Sequence, residues 1–269
     1  MIPQRPAFFP ENAGVRPDPR FIPSAGGAQW QGTRQEQNDV LFLSDYDPMK
    51  GLLVALADGI GLGADAGKAA AAAVNAIRQD YMRQEPMEEL RRQTLRMMGA
   101  AHAAVRAVND ENEEQNLPPV GAAAACVLVR DGRLAFSAVG NVRVFLIREG
   151  VLLQLSRDHL LSLEAEERDI LSGEAPDIDP EWAKRVTAFV GMDSLQKIDC
   201  QQTPVFLVPG DRILVMSSGL YGVLSEEELC RLACGAPPRQ AAEAIIGRVR
   251  GMNLASQSNI SAALVQFGQ

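Results

Sequence analysis

The chain has no surplus of positive charge: 26 Lys and Arg stand against 34 Asp and Glu, a formal net charge of −8. No basic cluster breaks that balance locally. A nucleic-acid binder is therefore excluded, because a phosphate backbone demands a basic face. Cysteine is scarce, and Cys126, Cys200, Cys230 and Cys234 lack zinc-site spacing. Cys230 and Cys234 fall in what reads as one helix, with no second pair and no nearby histidine. They read as free thiols of a reducing cytoplasm. No apolar run is long enough to span a membrane, and the N-terminus carries prolines where a signal peptide would have its apolar segment. These absences leave a cytoplasmic protein with no membrane or nucleic-acid partner.

What is present is ordinary for a globular domain: 46% of residues are apolar and 22% charged, in a chain long enough to bury a substantial core. Residues 1–27 hold Pro3, Pro6, Pro10, Pro17, Pro19 and Pro23 and end in a Gly-Gly pair. Such a segment neither pairs in a sheet nor continues a helix, and it reads as an N-terminal arm. Phe8, Phe9 and Phe21 make it a candidate docking segment. Residues 28–269 read as one domain. QWQGTR, DVLFLSDY and LLVALAD are strand-like. Two long helical stretches follow, AAAAAVNAIRQDYMRQ and MEELRRQTLRMMGAAHAAVRAVNDEN. After Leu117-Pro118-Pro119 come short strands broken at Asp131-Gly132 and Glu149-Gly150, the first a strong hairpin signal. A polar helical patch, LEAEERDILSG, precedes the strand candidates KRVTAFVGM, TPVFLVPG, DRILVMSS and ISAALVQF. Between the last two lie SEEELCRLA, with Ser225 and Glu228 in capping-box spacing, and the helical PRQAAEAIIGRVR. Strands in hairpins and helices in pairs make an α+β pattern with antiparallel sheets.

The stretch LLVALADGIGLGADAGK (52–68) invites three readings. A dinucleotide loop needs G-x-G-x-x-G and a β-α-β continuation, but Gly59, Gly61 and Gly63 alternate. A nucleoside-triphosphate loop would place its first glycine at Leu62 and a Ser or Thr at Ala69. Both fail on spacing. Asp58 remains, at the end of an apolar strand. It is either an ordinary turn aspartate or one whose following glycines let an ion or ligand approach the backbone.

An apolar strand ending in ADGxG, preceded by a G-x-R…D segment, resembles the PPM (PP2C-like) metal-dependent serine/threonine protein phosphatases. GTRQEQND (32–39), ADGIG (57–61), GNVRVFLIREGVLLQLSRDH (140–159), DRILVMSSGLYGVLSEEEL (211–229) and SNISAALVQF (258–267) follow the family's motif order. The resemblance implies a four-layer α-β-β-α sandwich: two antiparallel sheets packed face to face, with helix pairs outside. It also implies a site at one end, where aspartates hold two magnesium or manganese ions and a bridging water attacks a phosphoserine or phosphothreonine. Arg34 would grip the phosphate.

The chain departs from the pattern where that chemistry lies. The family's S-D-G-L reads Ser217-Ser218-Gly219-Leu220, and its D-N reads Ser258-Asn259, so Ser218 and Ser258 replace metal-binding aspartates. Asn38 replaces an acidic residue, and Pro118 stands where bacterial members carry a third-metal aspartate. The matched ligands that survive are Asp39, Asp58 and the Gly59 carbonyl, a residual site for one weakly bound ion or none. His159 and Asp158 read as structural, and His102 as uninvolved. The resemblance thus implies a pseudophosphatase, with phosphoserine/phosphothreonine hydrolysis impaired or absent. Such a protein would act by binding a protein partner, a phosphoprotein or kinase, in a phosphorylation-linked pathway. The alternative is an active metal-dependent serine/threonine phosphatase whose site is rebuilt with Asp65, Asp193 or Glu226.

Overall fold

The computed structural model describes residues 22–61, 64–83, 88–172 and 179–268. Its strands and helices are, in chain order, β1 (Ser24–Trp30), β2 (Asp39–Leu43), β3 (Leu52–Ile60), α1 (Ala64–Arg83), α2 (Leu90–Glu114), β4 (Gly121–Arg130), β5 (Arg133–Val139), β6 (Arg143–Arg148) and β7 (Val151–Gln154). Then come α3 (Leu161–Ser172), α4 (Pro180–Ala183), β8 (Asp199–Cys200), β9 (Val205–Phe206), β10 (Arg212–Met216), a 3₁₀ turn (Ser218–Leu220), α5 (Glu226–Cys234), α6 (Pro238–Arg250) and β11 (Ile260–Gln266).

The strands form two antiparallel sheets. One has five strands in the order β1-β11-β10-β6-β7; the other has six, β2-β3-β4-β5-β8 with β9 also on β5. Three apolar layers hold this α+β sandwich together. Val54, Leu56, Val127, Phe136, Leu146 and Val215 fill the space between the sheets. Ala69, Ala70 and Ala73 on α1, with Met97, Met98 and Ala101 on α2, cover the outer face of the six-stranded sheet. Alanines let α1 approach that sheet closely, which is what the alanine-rich run accomplishes. Leu229, Ala233, Ala242, Ile245 and Val249 on α5 and α6 cover the other sheet.

The local signals explain most boundaries. Asp131-Gly132 and Glu149-Gly150 both adopt positive φ at each residue, as two-residue hairpin turns require. The Ser225 hydroxyl accepts the Glu228 N–H at 3.1 Å, but the Glu228 carboxylate pairs with Arg248 at 2.6 Å instead of closing the box.

Two stretches differ from expectation. The arm assigned to residues 1–27 lies outside the described residues up to Phe21, yet Ser24–Gly27 already belong to β1 and pair with β11. The Gly-Gly pair there admits a neighbour: a Cβ on Gly26 would stand 2.3 Å from the Arg239 nitrogen at the start of α6. KRVTAFVGM forms no strand. It joins β4 through the single bridge of Ala122 to Val190, while Val186 bridges Leu160, just ahead of α3. Positive φ at Gly191 turns the chain away after Val190.

Candidate functional site

Asp39 begins β2 and Asp58 lies directly opposite it on β3. Cross-strand neighbours on one face stand about 5 Å apart at Cβ, and the two carboxyl groups are within hydrogen-bonding reach of each other. Asp39 is 3% exposed. Its Oδ2 accepts the hydroxyls of Ser217 and Ser261, each at 2.7 Å. Ser218, in the 3₁₀ turn, donates its hydroxyl to Asp58 Oδ2 at 2.6 Å. Asp39 Oδ1 is buried and receives no donor.

Burial, then the adjacent Asp58 charge, pushes the Asp39 carboxyl from 3.8 up to about 7, outweighing the two serine donors. Burial also raises Asp58, against the pull of Ser218. A proton shared between the two carboxyl groups would supply the link that Asp39 Oδ1 lacks. Two buried carboxylates side by side cannot both ionise cheaply without one.

Around this pair the loop 31–38 is clasped to the segment before β11. Asn259 accepts the Asn38 N–H at 2.8 Å and donates to the carbonyls of Gln31 and Glu36 at 2.7 and 2.9 Å. Thr33 and Gln257 exchange hydrogen bonds, and Gln257 donates to the Gly219 carbonyl at 2.8 Å. The Asn38 carbonyl accepts the Gly59 N–H at 3.1 Å. Gly59 itself is pressed on by the chain, since a Cβ there would stand 2.2 Å from the Ala66 carbonyl of α1. Its missing side chain therefore makes room for helix backbone.

The expected site residues fall into three groups. Asp39, Asp58 and Ser218 are brought together. Arg34 is exposed on loop 31–38, and its guanidinium forms no ion pair with a described residue. Ser258 is half-buried and hydrogen-bonds to neither aspartate; its carbonyl accepts from Gln257 at 3.2 Å. Sequence reasoning missed Ser217, Ser261 and Asn259. A signal existed: Ser261 interrupts an otherwise apolar strand at a wholly buried position. The carboxylates considered for a rebuilt site are engaged or remote. Asp65 pairs with Lys68 at 2.7 Å, and Asp193, 99% exposed, pairs with Arg106 at 2.5 Å. Glu226 opens α5 and is exposed.

Other residues of the motifs build scaffold. Arg143 makes a forked ion pair with Asp158, with contacts of 2.7 and 2.9 Å to Oδ2. The same guanidinium lies 3.6 Å over the Tyr221 ring. His159 Nδ1 accepts the Gly140 N–H at 3.0 Å, and burial holds its pKa below the usual range. It is a neutral packing residue. His102 Nδ1 likewise accepts a backbone N–H, from Gly191 at 3.3 Å.

Two hard ions would require a shell of oxygen ligands, several of them anionic. Among the described residues no three His, Cys, Asp or Glu side chains converge to hold an ion. Serine hydroxyls already occupy one oxygen of each aspartate. The residues present do not fit a two-ion centre.

A family model described as protein phosphatase 2C matches residues 32–264. No curated protein matches the chain significantly. Among solved structures, the chain is similar to an S. agalactiae serine/threonine phosphatase (TM-score 0.76, 19% identity, covering 91% of this chain and 99% of that one). It is similar to the catalytic domain of the serine/threonine phosphatase PstP in complex with 2 manganese ions (0.74, 20%, 93% and 100%). It is also similar to PppA, a key regulatory component of T6SS in Pseudomonas aeruginosa (0.72, 20%, 91% and 98%). At such identities the likeness establishes the fold.

Proposed function

The chain belongs to the protein phosphatase 2C family, and within it we propose that this protein is a pseudophosphatase. It binds a protein partner in a phosphorylation-linked signalling pathway and hydrolyses phosphoserine or phosphothreonine poorly or not at all. One observation carries this reading: the two carboxylates left at the site are tied up by serine hydroxyls, and no third described carboxylate joins them. Metal-assisted hydrolysis asks ions to lower the pKa of a water and to neutralise the transferring phosphoryl group. Two aspartates facing three neutral hydroxyls hold at most one magnesium or manganese ion, and that weakly.

The partner is a phosphoprotein or a kinase. Arg34, exposed and without a carboxylate mate among the described residues, is suited to contact its phosphate. The proline-rich segment of residues 1–27 is a second candidate contact. PppA is a regulatory component in its own organism, and a regulatory role by binding is the form we assign here. No described helix is long and apolar enough to cross a membrane, and we assign the protein to the cytoplasm, with an acidic surface unsuited to nucleic acid.

The competing reading, an active phosphatase with a rebuilt site, is disfavoured by the engagement of Asp65 with Lys68 and of Asp193 with Arg106. Manganese-dependent hydrolysis of a small aryl phosphate decides between them. The natural protein is run beside the Ser218→Asp, Ser258→Asp double variant. Silence in the first and turnover in the second is the expected outcome; turnover by the natural protein refutes the proposal.

A further inference from the structure

The geometry points to a second role for the same residues: Ser217, Ser218 and Ser261 latch the five-stranded sheet to the six-stranded sheet through Asp39 and Asp58, closing this end of the sandwich without a divalent ion. Ser261 lies on β11 and Ser217 directly follows β10, while Asp39 and Asp58 lie on β2 and β3 of the opposite sheet. The direction of the two bonds to Asp39 is fixed by their neighbours. The Ser217 oxygen accepts the Ser261 backbone N–H at 3.0 Å. The Ser261 oxygen accepts the Gln29 side-chain N–H at 2.9 Å. With an N–H already pointing at each oxygen, each hydroxyl proton is turned to Asp39 Oδ2. Ser217, after β10, and Ser261, on β11, thus converge on one carboxyl oxygen of the facing sheet, and Gln29 of β1 supports the Ser261 oxygen. Gln29 adds a further tie, to the Asp39 carbonyl at 3.2 Å.

An ion entering here would have to displace these hydroxyls or accept neutral oxygens in place of anionic ones, and it gains little either way. Of the three serines, Ser218 alone stands where the family pattern has an aspartate, and it gives Asp58 a donor there in place of a shared ion. The latch differs from the proposed loss of activity, because it concerns stability and is read without any hydrolysis. Either can fail while the other stands.

Thermal unfolding of the full chain in chelator and in millimolar manganese tests it. The natural protein should melt at the same temperature in both. A site saturated a hundredfold over its Kd would instead raise the Tm by roughly 5–10 °C, and such a rise overturns the latch. In chelator, the Ser217→Ala, Ser261→Ala double variant should melt roughly 4–10 °C lower, because a buried acceptor loses both donors. An unchanged Tm overturns the proposal. Should the serine double variant fail to fold, the manganese comparison decides alone.

Discussion

Replacing Asp39 by asparagine should abolish a specific pH dependence of folding stability. In the folded chain burial lifts the Asp39 pKa from 3.8 to about 7. Between those two values the folded protein keeps a proton that the unfolded chain has released. Stability therefore falls as pH rises through that window, and the loss is complete above about pH 7. The slope for one proton is about 1.4 kcal/mol per pH unit and halves by pH 7, so the interval from pH 5 to pH 7 removes roughly 2–3 kcal/mol. Two effects compete here. Desolvation and the Asp58 charge raise the pKa, and the Ser217 and Ser261 donors lower it. Desolvation is the larger because the carboxyl is 3% exposed. Asparagine has no proton to release, and its NH₂ supplies the link to Asp58 at every pH.

The assay is urea unfolding of both proteins at pH 5 and pH 7. Taking the difference between them cancels carboxylates that titrate elsewhere. The asparagine variant should gain roughly 2–3 kcal/mol relative to the natural protein over that interval. If the difference is flat, Asp39 is ionised throughout, and the buried pair is neutralised by something other than a proton. That result would refute the reasoning.

Asn259→Ala removes three hydrogen bonds that clasp loop 31–38. It should cost about 2–3 kcal/mol and speed hydrogen exchange at the Asn38 amide. Asp158→Ala strands the part-buried Arg143 guanidinium on the Tyr221 face; a loss of about 3–5 kcal/mol in urea unfolding is expected. Phe136→Ala opens the apolar layer between the sheets and should cost about 3–5 kcal/mol, with the response to manganese unchanged because the latch is untouched.

Much of this architecture was legible in the sequence because its signals are local. Turn residues that tolerate positive φ fixed two hairpins, and apolar runs bounded by them gave β4, β5 and β6. The alanine-rich run forms a helix packed against a sheet. The segment 184–192 was misread because its apolar residues, Ala188 and Val190, are buried without a strand partner beyond single bridges. Composition alone does not separate those two ways of burying a side chain. At the site, the motifs located Asp39, Asp58 and Ser218 because each is tied to a strand end. Ser217 and Ser261 escaped because their role depends on which strands become neighbours across the sandwich. Ser261 and Asp39 are 222 positions apart, and no periodicity reports such a contact.

On the reading we propose, the fold tolerates neutral residues at the site for a reason visible in where the energy lies. The three apolar layers run along the strands and helices, and none of them includes Asp39, Asp58 or the serines. Changes at the site therefore leave the main source of stability intact. What they do alter is the electrostatics of a buried corner. Aspartates at positions 39, 58 and 218 would gather like charges that only cations could offset. A serine at 218 replaces an acceptor with a donor, turning a repulsion with Asp58 into a 2.6 Å hydrogen bond. Ser258 makes no such bond to either aspartate; its carbonyl accepts from Gln257. The two serines are thus unequal: Ser218 is tied to Asp58, and Ser258 is tied to neither aspartate.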